Sequence, residues 1–186
     1  MQESTEFLEI EHKFVVSDAF DVENFCSNVM KLSPLKSTNI EVNDHYFFSK
    51  SQSHFVLRHR LDKELNQLSM KSRGGDAESR TEINLDLARG VPNQKNALIE
   101  FTKNLGFSEQ RTLTKKVRVF YFPDCEIVYY QAQCGDRRIN CVEIEAKNVN
   151  IKTEGLEILA EYEKKLGLDK FKRETRSLFE LMFVIS

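Results

Sequence analysis

The chain has no apolar run near the roughly 20 residues that a bilayer-crossing helix needs, so no helical membrane span is expected. It has no strong excess of either charge. Its 27 basic and 29 acidic residues leave a formal charge of -2, which argues against a general nucleic-acid or membrane-surface binder. The four cysteines, Cys26, Cys125, Cys134 and Cys141, include no C-x-x-C pair and read as reduced thiols of a cytoplasmic protein. The four histidines, His12, His45, His54 and His59, show no H-E-x-x-H spacing, which argues against a histidine-based metal site. There is no G-x-G-x-x-G stretch, P-loop, repeat, linker or low-complexity tract, and the opening "MQESTEFLE" is too polar and acidic for a signal peptide. What remains is an ordinary composition, 40% hydrophobic and 30% charged over 186 residues, enough for one domain spanning 1–186 with a proper core.

What is present is alternation. Residues 7–16 read charged and apolar in turn, "FLEIEHKFVV", a period of two that predicts a strand. The same logic predicts strands over 39–49, 53–61, 66–73, 78–87, 112–122, 125–133 and 140–148, with turns at Asp62-Lys63-Glu64, Gly74-Gly75 and Gly135-Asp136. Helices are expected over 18–31 (Asp18 as N-cap), 92–107 and 153–168, the last ending at Gly167, with a short amphipathic tail over 174–185. Eight strands in hairpin succession can close into an antiparallel barrel, which removes sheet edges.

Assigning faces strand by strand separates charge from apolar surface. Glu9, Glu11 and Lys13 oppose Leu8, Ile10 and Phe14; Arg58 and Arg60 oppose Leu57 and Leu61; Lys71 and Arg73 oppose Leu68 and Met70. Arg80 and Glu82 oppose Ile83 and Leu85; Lys116 and Arg118 oppose Val117 and Val119; Glu143 and Glu145 oppose Val142 and Ile144. Two arrangements satisfy this pattern: a sandwich with its charges in water, or a barrel with a charged lumen and an apolar outside covered by helices. The sorting of signs favours the lumen, because carboxylates fall as Glu-x-Glu on the first and last strands and cations as pairs on the middle ones. Carboxylates hold hard divalent cations through oxygen, and Arg and Lys hold phosphate oxygens. Eight candidate inward cations (Lys13, Arg58, Arg60, Lys71, Arg73, Arg80, Lys116, Arg118) against five anions (Glu9, Glu11, Glu82, Glu143, Glu145) give +3. One divalent ion brings this to about the charge that a triphosphate, at roughly -4 to -5, offsets.

In this order and spacing the motifs resemble the CYTH superfamily, the triphosphate tunnel metalloenzymes, over nearly the whole chain. The matching residues are Glu9, Glu11 and Lys13 for E-x-E-x-K; Asp44 and Tyr46 for D-x-Y; Arg58 and Arg60 for R-x-R; Lys71 with Arg73 beyond it; Arg80 and Glu82 for R-x-E; Lys116 and Arg118 for K-x-R; and Glu143 and Glu145 for the closing E-x-E. The tail "ETRSLFELM", with Arg176 and Ser177, is similar to that of the small class IV adenylyl cyclase-like members. The resemblance implies an α+β fold, an eight-stranded antiparallel β-barrel tunnel with a charged lumen, flanked by helices. It implies a Mg²⁺ or Mn²⁺ cofactor on Glu9, Glu11, Glu143 and Glu145. A triphosphate-containing small molecule would lie on Lys13, Arg58, Arg60, Lys71, Arg73, Arg80, Lys116 and Arg118, and Lys13 and Tyr46 would assist catalysis as in thiamine triphosphatase-like members. Neither nucleic acid nor membrane is implied, and a homodimer is compatible with it.

The chain departs from the family at four places. Tyr130 stands where an aspartate is usual, "QCGDRRI" replaces a Leu-Gly turn, Phe48 replaces the aspartate that often ends the D-x-Y stretch, and Asn84 replaces a second carboxylate. Three activities therefore stay open at this level: metal-dependent hydrolysis of inorganic, thiamine or nucleoside triphosphate; cyclisation of ATP to cyclic AMP; and binding of polyphosphate or nucleotide without turnover. A lysine among so many cations, Lys13 above all, is expected to have a lowered pKa.

Overall fold

The computed structural model describes residues 7–51, 54–73, 78–149 and 151–183. The eight strands are β1 (Leu8–Val16), β2 (Lys36–Phe48), β3 (Phe55–Leu61), β4 (Asn66–Ser72), β5 (Ser79–Asp86), β6 (Glu109–Tyr121), β7 (Cys125–Cys134) and β8 (Arg137–Ala146). They close into one barrel in the order β1-β5-β4-β3-β2-β6-β7-β8, each neighbouring pair antiparallel. The barrel and its flanking helices match the sequence expectation. The Gly74-Gly75 turn, residue 53 of the third strand and residues 184 and 185 of the tail lie outside the described residues.

Three helices cover the outside: α1 (Val22–Lys31), α2 (Gln94–Asn104) and α3 (Lys152–Leu166). α1 starts later than expected because Asp21, not Asp18, is its cap: the Asp21 carboxylate accepts from the Asn24 N–H at 3.0 Å. Asp18 instead accepts from the Asn140 side-chain amide at 2.8 Å, tying the connection before α1 to β8. β2 and β6 run longer than their alternation implied. They pair over their full length, from Lys36 opposite Tyr121 to Phe48 opposite Glu109.

The apolar strand faces point outward, under the helices. Ile10, Phe14 and Val16 of β1, Ile127 of β7, and Val142 and Ile144 of β8 pack against Phe25 and Val29 of α1 and Leu159 and Tyr162 of α3. A second cluster joins Phe47, Leu57 and Leu68 to Leu98 of α2 and to Phe107. A third fills one end of the barrel, where a short helix α4 (Leu178–Phe183) brings Phe179 and Met182 against Val42, Tyr46, Leu113, Tyr130, Ala132 and Cys141. α4 begins with a capping box. Ser177 Oγ accepts from the Glu180 N–H at 3.2 Å, and the Glu180 carboxylate accepts from the Ser177 N–H at 2.7 Å.

α3 approaches the barrel at Gly155, where a Cβ would lie 3.0 Å from Ile10 Cδ1 and 3.4 Å from Ala146 Cβ. The nearer contact is the movable end of a side chain, and alanine gains about 1 kcal/mol of helix propensity over glycine. Gly155→Ala is therefore expected to leave the urea midpoint nearly unchanged. Gly155→Leu overpacks the same contact and is expected to cost about 1–3 kcal/mol in the same titration.

Candidate active site

The inward faces enclose a cavity of about 430 Å³. The strand register lays its walls out in rows. Glu126, Glu145 and Glu11 are consecutive opposite partners across β7, β8 and β1, so three carboxylates stand side by side. The next row runs Val119, Val128, Glu143, Lys13, and the one beyond it Ile40, Val117, Tyr130, Cys141. On the other side of the barrel, Arg80 faces Glu9, Lys71 faces Glu82, and Arg60 faces Asp44.

Nearly every lumen carboxylate has a cationic partner. Lys13 Nζ lies 2.7 Å from Glu11 Oε1 and 3.1 Å from Glu143 Oε1. Arg80 Nη1 reaches Glu11 at 3.1 Å. Lys71 Nζ spans Glu9 at 2.9 Å and Glu82 at 2.7 Å, and Arg58 donates to Glu82 and to Ser69 Oγ, both at 3.1 Å. Asp44, fully buried, takes a bidentate Arg60 at 2.8 and 3.0 Å and Lys115 at 2.9 Å. The Tyr130 hydroxyl donates to Glu143 at 2.7 Å. The C-terminal segment closes over this network: the Glu174 N–H donates to the Lys13 carbonyl at 2.7 Å, and Arg80 donates to the Thr175 carbonyl at 2.7 Å.

Proton affinities follow from these contacts. Burial pushes the Glu9 carboxyl up, but Lys71 outweighs it and holds Glu9 well below the usual range. Burial also opposes ionisation of Glu143, and there Lys13 and the Tyr130 hydrogen bond win, lowering its pKa. The row of three acids behaves differently. Burial raises Glu126, Glu11 and Glu145, the last to about 8, and neighbouring carboxylates add to the rise. Lys13 does not have the lowered pKa expected of it. Burial lowers it, but Glu11 and Glu143 outweigh burial and hold the ammonium firmly protonated. The depressed lysine is Lys115, brought down to about 8 by burial and by Arg60 despite Asp44. Tyr46 is pushed up to about 12 by burial and Asp44, so its hydroxyl keeps its proton.

The structure brings Glu9, Glu11, Lys13, Tyr46, Arg58, Arg60, Lys71, Arg80, Glu143 and Glu145 onto this one cavity. It does not bring Lys116, Arg118 or Arg73 there. On β6 the residues facing the cavity are Lys115, Val117, Val119 and Tyr121, so Lys116 and Arg118 point out. Arg118 is held at the surface by both carboxylate oxygens of Glu23 on α1. Arg73 lies past the end of β4, its guanidinium 5.0 Å from the Phe179 ring at the plugged end. Phe48 belongs to that plug too, 5.1 Å from Phe179. Alternation missed Lys115 and Lys147 as lumen cations and Glu126, Asp62 and Glu64 as lumen acids. The signal for Glu126 was its parity, four residues before Tyr130 on the same face. Seven basic and eight acidic side chains line the cavity, with Asp44 buried behind them, so the +3 balance is replaced by one close to neutral.

Among the described residues, no three His, Cys, Asp or Glu side chains converge in an arrangement that could hold a metal ion. The donor type still fits a hard divalent cation: the row Glu126, Glu145, Glu11 consists of carboxylate oxygens, with Lys147 2.6 Å from Glu145 and Lys13 2.7 Å from Glu11. No helix of the described residues is long and apolar enough to cross a membrane.

A family model described as the CYTH domain matches residues 8–178. Among solved structures, the chain is similar to the PH1012 protein of Pyrococcus horikoshii, with 22% identity, 93% of this chain and 98% of that one covered, and a TM-score of 0.74. It is similar to a conserved hypothetical protein of Pyrococcus furiosus, with 24% identity, 94% and 99% covered, and a TM-score of 0.72. It also resembles HpAC1 of Hippeastrum, named for adenylyl cyclase and described as having a dominant triphosphatase activity, with 14% identity, 93% and 94% covered, and a TM-score of 0.59. No curated protein matches the chain.

Removing Asp44 would strand two cations in the barrel wall. Asp44→Ala is expected to cost about 3–5 kcal/mol, the penalty of breaking a buried ion pair from one side. Asp44→Leu combined with Lys115→Met, which removes one stranded charge, should recover part of that loss in equilibrium urea unfolding.

Proposed function

The chain belongs to the CYTH domain family, and on that footing we propose that it binds a triphosphate-bearing small molecule with Mg²⁺ or Mn²⁺ in its barrel and hydrolyses the phosphate chain. The observation that carries this reading is that one cavity is lined by both kinds of group: the cations Arg58, Arg60, Lys71, Arg80 and Lys115, and the row Glu126, Glu145, Glu11. Arg58 is buried and its Nε has no partner among the described residues, a donor left for an incoming acceptor.

In this reading Arg58, Arg60, Lys71, Arg80 and Lys115 bind and orient the phosphates, and Lys13 keeps Glu11 and Glu143 in place as a permanent ammonium. Glu9, Glu11, Glu143 and Glu145, with Glu126 beside them, would hold the cation, which when bound supplies charge neutralisation on the phosphate oxygens. Tyr46 keeps its proton and serves as a hydrogen-bond donor, not a base. Lys13, held as an ammonium, has no free lone pair to take a proton from the attacking water.

Binding without turnover is the second reading. It is favoured by Lys13, whose ammonium already spans Glu11 and Glu143, two of the carboxylates a cation would share. Incubation with tripolyphosphate, thiamine triphosphate and ATP, each with Mg²⁺ or Mn²⁺, separates the readings. Phosphate release is expected; cyclic AMP would assign a cyclase instead, and saturable binding without products would assign a binder. Glu145→Gln is expected to lower metal-dependent phosphate release by roughly 10- to 100-fold, and unchanged release would remove that residue from the cation site.

A pH dependence follows from Lys115. The amine is charged below its pKa of about 8 and neutral above it. Affinity for tripolyphosphate, measured by calorimetry without metal, should therefore fall as pH rises through about 8. In Lys115→Arg, which stays charged, that step should shrink to the part contributed by Glu145, whose carboxyl, also raised to about 8, gains negative charge over the same range.

A further inference from the structure

The pairing of β1 with β5 is short. It runs from Leu8 opposite Thr81 to Ile10 opposite Ser79, while β1 pairs with β8 from Glu11 opposite Glu145 to Val16 opposite Asn140. Where the β5 pairing ends, the Glu11 N–H reaches the Glu78 carbonyl at 3.2 Å, and the Lys13 carbonyl accepts from the Glu174 N–H at 2.7 Å. Residues 173–175 therefore lie along β1 as a strap. The strap is not close-packed on the strand. A cavity of about 220 Å³ is bordered by Arg173, Glu174 and Thr175 on one side and by Glu11 and Lys13 of the lumen on the other.

Arg173 fastens this strap from outside the barrel. Its Nε and Nη2 donate to the two oxygens of Glu163 on α3 at 2.9 and 2.7 Å, and its Nη1 donates to Glu78 at 2.9 Å. Glu163 is buried, and His12 Nδ1 on β1 lies 2.6 Å from the same carboxylate, so the anchor is tied to the strand it serves. A bidentate guanidinium–carboxylate pair fixes direction as well as distance. Two residues further on, the Thr175 carbonyl accepts from Arg80 Nη2 at 2.7 Å, while Arg80 Nη1 donates to Glu11 at 3.1 Å. Arg80 is buried, and these two acceptors set where its guanidinium sits. A neutral carbonyl occupies one donor without cancelling charge, which leaves Arg80 positive toward the lumen. We infer that Arg173 is a positioning residue for the lumen: its clasp on Glu163 and Glu78 fixes the strap, and the Thr175 carbonyl of that strap aims Arg80 at an incoming phosphate. This rests on the phosphate-binding reading of the cavity and adds a control on it from a residue outside its lining.

The test is a double-mutant cycle read by calorimetry on the full chain, with tripolyphosphate and Mg²⁺. Arg173→Ala is expected to weaken binding about tenfold in the otherwise unmodified protein and by less than about twofold in an Arg80→Ala background. A merely structural Arg173 would cost the same in both backgrounds. Equal losses, or no loss from Arg173→Ala alone, overturn the inference and leave the phosphate reading standing. Where a variant does not fold, or Arg80→Ala binds too weakly to measure, hydrogen exchange of the unmodified protein decides. A ligand that gains from an ordered strap must itself order the strap. Exchange of the Glu174 amide should therefore slow about fivefold or more at saturating tripolyphosphate, relative to the Gly106 amide at the end of α2. Equal slowing at both amides overturns the inference. Failure of the unmodified protein to bind tripolyphosphate overturns the phosphate reading and this inference with it.

Discussion

Charge inside a closed barrel is tolerable only when other charge compensates it, and that requirement organises this molecule. Lys13 sits between Glu11 and Glu143, Lys71 between Glu9 and Glu82, and Asp44 between Arg60 and Lys115. Any one of these groups alone would carry a desolvation penalty of several kcal/mol. Together they run through β1, β8, β4, β5, β2, β3 and β6, and β7 joins through the Tyr130–Glu143 hydrogen bond. The lining is therefore also a set of ties between strands. At Glu126, Glu145 and Glu11 burial outweighs the cationic partners, and proton affinity rises there.

The outside solves the complementary problem. Strands with charged inward faces carry their hydrocarbon outward, and α1, α2 and α3 cover it. The C-terminal segment links the two regions. Arg173 clasps Glu163 on α3 at 2.9 and 2.7 Å, and the same Glu163 carboxylate lies 2.6 Å from His12 Nδ1 on β1. Glu174 and Thr175 then bond to Lys13 and Arg80, and the Ser177 capping box starts the helix that plugs the barrel. Phe48, an apparent lost carboxylate in the sequence, is a packing partner of that plug.

Strong alternation made β1, β3, β4, β5 and β8 readable, because a strand with one charged and one apolar face has only one sensible orientation in a barrel covered by helices. β6 broke the rule. Lys115 and Lys116 are adjacent, so a cation points inward under either parity, and the pattern cannot choose. The choice is made by the register with β2, and it sends Arg118 to Glu23 on α1, a partner 95 residues away in sequence. Glu126 was hidden for a related reason: in "CEIVYY" it is a single acid in an apolar strand, and only its place opposite Glu145 gives it weight.

The sequence by itself determined the strand count, the helices that cover the barrel and the two E-x-E pairs, because these follow from local periodicity and from spacing along one strand. Tertiary structure alone decided which lysine of β6 enters the lumen, which carboxylates stand in a row and how far the charges cancel. Those properties depend on the lateral register between strands distant in sequence, and on burial, which raises or lowers proton affinity according to neighbours that no single strand contains.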